Sequence, residues 1–114
     1  MRQDGKIDYV EQPGGDLSAT KAFYQKAFGW SFTDYGPSYA AYSEGLDGGF
    51  DADGAAPKAP MVILFSTDLE AMLARVTAAG GTITRPIFSF PGGRRFQFKD
   101  PAGNELGVWG DPTD

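Results

Sequence analysis

Apolar positions recur along this chain at two periods. Leu69, Met72, Leu73 and Val76 follow i, i+3, i+4, i+7 spacing, which puts one stripe along a helix. Elsewhere short runs of apolar, aromatic and β-branched residues, each bounded by Gly or Pro, predict strands. The pattern also repeats. Shifted by 52 positions, "YVEQPGGDLSATKAFYQKAFGW" lies over "MVILFSTDLEAMLARVTAAGGT" without a gap. Identities fall at Val10/Val62, Asp16/Asp68, Leu17/Leu69, Ala19/Ala71, Ala22/Ala74, Ala27/Ala79 and Gly29/Gly81. Asp16 and Asp68 each precede a helical pattern, where a carboxylate accepts bonds from free N–H groups and suits the positive end of the dipole. Gly29 and Gly81 follow those patterns, where a helix ends most easily in the left-handed region.

Strand-like runs come after each predicted helix: Trp30–Tyr35, Tyr39–Glu44 and Gly48–Ala52 in the first half, Thr82–Ser89, Arg95–Lys99 and Asn104–Trp109 in the second. Both halves therefore read βαβββ. The prediction is an α+β fold of two βαβββ modules in tandem, forming curved, half-barrel-like mixed sheets with one helix per module. One domain of 1–114 is expected, with repeats over about 6–52 and 60–110. The segment "DADGAAPKAP", residues 51–60, is the natural linker, because Ala, Gly, Pro and charge give it little reason to pack.

Composition then narrows the chemistry. Of 114 residues none is cysteine, which excludes disulfides, thiolate catalysis and cysteine metal sites. None is histidine either, so the commonest general base and the commonest transition-metal ligand are missing together. A net charge of −5 with scattered acids argues against a nucleic-acid partner. No apolar run reaches the ~20 residues of a membrane span, and "MRQDGKIDYV" lacks a signal-peptide core. A cytoplasmic protein without a membrane partner is expected.

The stretch "FQFKDPAGNELGVWG", Phe96 to Gly110, reads as strand, tight turn and strand. With "FYQKAFGW" (Phe23 to Trp30) and "GGRRFQFKDP", it resembles the vicinal-oxygen-chelate superfamily of glyoxalases, bleomycin-resistance proteins and extradiol dioxygenases. The resemblance covers nearly the whole chain. It implies four metal ligands, one on the first strand and one on the last strand of each half. The first-strand positions fall on Tyr9 and Met61, each seven residues before a capping Asp. The last-strand positions fall on Gly107 and on Gly49 or Asp51. Tyr9, Met61 and Gly107 are not ordinary ligands of a catalytic divalent ion, so the expectation is a member without metal or other cofactor.

Losing the ligands does not remove the cavity. Strand alternation places Val10, Val62, Leu64, Leu106 and Val108 toward the helices. Tyr9, Glu11, Met61, Ile63, Phe65, Glu105, Gly107 and Trp109 then face the concave side, an apolar and aromatic lining with two carboxylates. Ligand-binding candidates are accordingly Tyr9, Glu11, Met61, Ile63, Gly107 and Trp109, with Gly107 leaving room for a ligand near the backbone. Candidate catalytic residues are Glu11 or Asp51 as base and Tyr9 as acid. Arg94 and Arg95 in "GGRR" read as a solvated hairpin tip more readily than as an anion site.

Three readings of function stay open. One is a metal-free small-molecule-binding protein of the bleomycin-resistance type, holding an apolar, aromatic or cationic compound. The second is a metal-independent isomerase or lyase. The third is a structural or regulatory domain whose cavity is filled by its own side chains. A homodimer is expected, because a concave sheet on so small a chain exposes more apolar surface than monomers usually do.

Overall fold

The computed structural model describes residues 2–54 and 58–112. Its elements, in chain order, are β1 (Ile7–Pro13), α1 (Leu17–Phe28), β2 (Thr33–Asp34), β3 (Tyr39–Glu44), β4 (Leu46–Asp51), β5 (Met61–Phe65), α2 (Leu69–Ala78), β6 (Thr82–Phe90), β7 (Gly93–Lys99) and β8 (Glu105–Gly110). The chain is α+β, with two βαβββ modules in tandem and one helix in each. Part of the predicted linker, residues 55–57, lies outside the described residues.

Two compact units divide the chain, one of Tyr9–Met61 and one of Val62–Asp114 together with Met1–Asp8. In the first, the strand order is β2-β3-β4-β1, with β1 parallel to β4 and the other pairs antiparallel. In the second, the order β5-β8-β7-β6 repeats that plan, with β5 parallel to β8. The N-terminal residues fasten to this second unit. Gly5 N donates to Phe65 O at 2.8 Å, and the Asp4 carboxylate accepts from Thr67 N at 2.8 Å and Thr67 Oγ1 at 2.9 Å.

Helix starts follow the repeat. Asp16 accepts from Ala19 N at 3.2 Å and Asp68 from Ala71 N at 3.0 Å, the same cap in both modules. Gly29 closes α1 at φ 73°, with its N–H on Gln25 O and Trp30 N–H on Tyr24 O, a Schellman ending. The second helix ends differently from the expectation. Gly80, at φ 102°, takes the left-handed turn in place of Gly81, and α2 is capped by Ala79 in the right-handed region. A Cβ on Gly81 would sit 2.6 Å from Val76 Cγ1, so that residue serves close packing.

Most predicted strands are present within a few residues of their ends. The exception is Trp30–Tyr35, of which only Thr33–Asp34 is a strand. Its aromatic residues are used elsewhere: the Trp30 ring stacks on Tyr24 at 4.7 Å, and Phe32 reaches Phe50 at 6.0 Å. The second module has a conventional core. Leu69, Phe96, Phe98 and Val108 are buried there, with Leu64, Leu73, Val76 and Leu106 packed around them. This places Leu64, Leu106 and Val108 on the helix side, as strand alternation predicts.

Candidate ligand site

The first unit's sheet face away from α1 is built by parallel pairing. Register sets Glu11 of β1 beside Gly49 of β4, while Ala41 of β3 pairs with Gly49 and Tyr39 with Asp51. Tyr39, Gly49, Asp51 and Glu11 therefore share one side. Gly49 has no side chain, and the Tyr39 ring lies directly over it, so close that a Cβ there would collide with the ring. The neighbouring Gly48 is covered by Tyr42 on the opposite side. A Gly-Gly pair inside a strand thus marks two close approaches by tyrosines.

Laid across Gly49, the Tyr39 hydroxyl meets two partners. It lies 2.6 Å from the Tyr9 hydroxyl and donates to Glu11 Oε2 at 3.1 Å. Because the Tyr39 proton is committed to Glu11, Tyr9 is the donor in the phenol pair. The order of donation is Tyr9 to Tyr39 to Glu11, which leaves the Tyr9 oxygen to accept from outside the network. Glu11 is buried, and both tyrosines are half-buried. Burial raises the Tyr9 phenol to about 12, and the nearby Glu11 charge adds to the rise. Tyr39 is raised further, by burial first and then by Glu11 and Tyr9. At neutral pH both phenols keep their protons, so the network is a fixed set of O–H dipoles pointing toward a carboxylate.

The other sequence candidates are placed as follows. Asp51 ends β4, and its Oδ1 accepts from Asp53 N at 2.9 Å, serving the chain's own turn. Met61 is buried in the first unit. In the second unit, Ile63 pairs with Gly107, which pairs in turn with Gln97. Ile63, Gly107, Gln97 and Phe65 are all buried. Trp109 is held on three sides: Nε1 donates to Asp8 Oδ2 at 2.9 Å, the Arg2 guanidinium sits 5.0 Å over the ring, and Phe65 meets it edge-on at 5.3 Å. Arg94 forms an ion pair with Glu70 of α2 at 2.6 Å, which lowers the Glu70 carboxyl through that hydrogen bond.

Tyr39 was missed by sequence reasoning. Its signal was the Gly48-Gly49 pair opposite a strand with a tyrosine on each face, a pattern that calls for rings over bare backbone.

The residues at the metal positions do not fit a divalent ion. They supply a phenol at Tyr9, a thioether at Met61, no side chain at Gly107, and at the fourth position either no side chain at Gly49, where the Tyr39 ring takes the space, or the single carboxylate of Asp51, which accepts from Asp53 N; one carboxylate does not hold such an ion. Among the described residues no three His, Cys, Asp or Glu side chains gather as such a site requires.

Tandem βαβββ modules, paired first and last strands, and a polar cluster set on a sheet face away from the helix define a glyoxalase-type fold. Residues 6–108 match the model of the Glyoxalase/Bleomycin resistance protein/Dioxygenase superfamily, and the chain belongs to that family. It is 28% identical over 120 residues to "Putative glyoxylase CFP32" of Mycobacterium bovis, a match that takes in 94% of this chain and 46% of the relative. The chain thus spans about half the length of that relative. Among solved structures it resembles methylmalonyl-CoA epimerase of Mycobacterium tuberculosis (TM-score 0.72, 14% identity, 100% of this chain and 92% of the other). It also resembles a glyoxalase/bleomycin resistance protein/dioxygenase superfamily member of Vibrio splendidus (TM-score 0.68, 17% identity, 93% and 97%). At such identities these two likenesses speak for the fold alone. No helix among the described residues is long and apolar enough to cross a membrane.

Proposed function

We propose that the protein binds a small organic molecule without a metal ion, and that the Tyr9–Tyr39–Glu11 network is the polar anchor of its site. The observation that carries this reading is that the Tyr39 hydroxyl donates to the buried Glu11 carboxylate while lying 2.6 Å from the Tyr9 hydroxyl. With the Tyr39 proton given to Glu11, Tyr9 donates to Tyr39 and its own oxygen is an acceptor backed by negative charge. Such an end suits an N–H or ammonium donor on an aromatic or apolar compound. Tyr9 occupies one of the positions that the family resemblance gives to a metal ligand, and the network offers orientation by hydrogen bonding instead.

A second reading is favoured by the same carboxylate. Glu11 accepts from Tyr39, so it can receive a proton relayed through Tyr39 and Tyr9 from an acidic substrate. A metal-independent isomerase or lyase with Glu11 as base would use it so. Asp51 is the weaker base candidate, because its carboxylate serves the following turn.

A thermal-shift screen of small aromatic amines and N-heterocycles tests the binding reading, since a ligand of the native state raises Tm by mass action. The expected result is a set of donors that stabilise the parent protein and stabilise Tyr9→Phe markedly less. Hits that stabilise both proteins equally, or no hits, would refute the anchor.

A further inference from the structure

Between α1 and its sheet the first unit has a groove, widely open to solvent, of about 480 Å³. It opens on the side opposite the tyrosine network, because its sheet residues Gln12 and Phe50 alternate with Glu11 and Gly49 along paired strands. Phe23, Tyr24, Ala19 and Thr20 of α1 complete the walls that matter chemically. The volume falls within the ~300–1,000 Å³ of small-molecule sites.

Its polar inventory is specific. The Gln12 Oε1 atom accepts from the Tyr42 hydroxyl at 2.6 Å, which fixes the carboxamide and leaves its NH₂ group to donate. The Thr20 hydroxyl donates to Gly14 O at 2.7 Å, which leaves its lone pairs to accept. Among the described residues no lining side chain carries a formal charge. The rings of Tyr24 and Phe50 lie 5.1 Å apart in a tilted pair, and Phe23 stands edge-on to Tyr24. The occupant that matches one donor group, one acceptor, aromatic walls and no charge is flat, neutral and heteroaromatic.

We infer that this cavity is a second ligand seat, for a neutral planar ring system carrying adjacent carbonyl and N–H groups. The carbonyl accepts from Gln12 and the ring N–H donates to Thr20. A second copy of the chain is the poorer occupant, since α1 carries no acid and, with Lys21 paired to Asp34 at 2.9 Å, two such helices would still bring their Lys26 charges together. The seat does not depend on the tyrosine anchor and fails separately from it.

The probe is quinolin-2(1H)-one, titrated into the ¹⁵N-labelled full chain and followed by two-dimensional NMR, with naphthalene-2-carboxylate as the charged counterpart. Saturable shifts are expected at the amides of Gln12, Thr20, Tyr24 and Phe50, equally in the parent and in Tyr9→Phe. Ala19→Leu, which fills the cavity with a good helix former, should weaken the quinolinone by about tenfold or more. The carboxylate should bind more weakly than the quinolinone. Equal binding by Ala19→Leu, tighter binding of the carboxylate, or no saturable shift would each overturn the inference. So would a dimeric mass by light scattering that Phe23→Ser returns to monomer, for the cavity face would then belong to a second chain.

Discussion

Beneath α2 the sheet offers Phe96, Phe98 and Val108, and the helix answers with Leu69, Met72, Leu73 and Val76. Beneath α1 the sheet offers Tyr42 and Phe50, the packing partners are Tyr24, Trp30 and Phe32, and no residue of α1 is buried. Both helices begin with the same aspartate cap, and both sheets have the same strand order. The difference lies in side-chain shape. Branched aliphatic chains interdigitate and close the gap, whereas flat rings meet at preferred tilts and leave space between helix and sheet. One module is thereby a solid support, and the other has polar and aromatic groups on both faces of its sheet.

The largest expected effect sets these two packings against each other. Phe96→Ala should cost roughly 3–5 kcal/mol in chemical denaturation, because Phe96 is wholly buried. Phe23→Ala should change stability by less than about 0.5 kcal/mol, since Phe23 is 58% exposed. If the two substitutions cost the same, the contrast between the modules is wrong.

Gly49→Val sharpens the comparison on the opposite face. The added side chain must displace the Tyr39 ring, which should cost roughly 1–3 kcal/mol and break the bond from Tyr39 to Glu11. Retention of parent stability, with the Tyr39 hydroxyl resonance unmoved, would show that the ring does not lie where it is described.

The capping aspartates should behave alike despite the different cores. Asp16→Ala and Asp68→Ala should each lose about 1 kcal/mol, since each removes one bond to a free helix N–H. A cost confined to Asp68 would mean that the repeat in sequence is not a repeat in energetics.

These shared features were the legible part of the sequence. Helical period, capping aspartates and turn residues act through neighbours a few positions away, so the modules and the helix-facing side of Leu64, Leu106 and Val108 could be read directly. What escaped depends on contacts between distant segments. Trp30 and Phe32 look like strand residues, yet their rings belong to a cluster with Tyr24, Tyr42 and Phe50. Gly81 aligned with Gly29, but the left-handed turn moved one residue to Gly80 because Gly81 packs on Val76. Tyr9 and Glu11 were recognised from strand alternation. Tyr39, which joins them, is 28 residues from Glu11 and is brought there by β3–β4 pairing. Trp109 was expected as an open stacking surface, and its place between Arg2 and Phe65 depends on an N-terminal segment with no sequence signal for where it docks.

A smaller effect is confined to high pH. The Tyr9 phenol releases its proton near 12 in the folded chain against 10 for an ordinary tyrosine, so the folded state holds a proton that the unfolded state loses. The stability this contributes is present below pH 10 and is lost as pH rises from 10 toward 12. Ultraviolet titration of tyrosinate should show late-ionising phenols, and Glu11→Gln should bring Tyr9 and Tyr39 downward by removing the nearby charge. Unchanged titration in Glu11→Gln would detach the carboxylate from the network.

The proposed site orients its ligand by hydrogen bonding from Tyr39 and its partners and requires no metal ion. Calorimetric titration of the best donor compound from the screen, run in parallel with EDTA and with added manganese, nickel and zinc, tests it most directly. The predicted result is one affinity under all four conditions, with Tyr39→Phe weakening it by about tenfold, the equivalent of ~1.4 kcal/mol. Affinity that appears only with an added metal ion, or that Tyr39→Phe leaves intact, would contradict it.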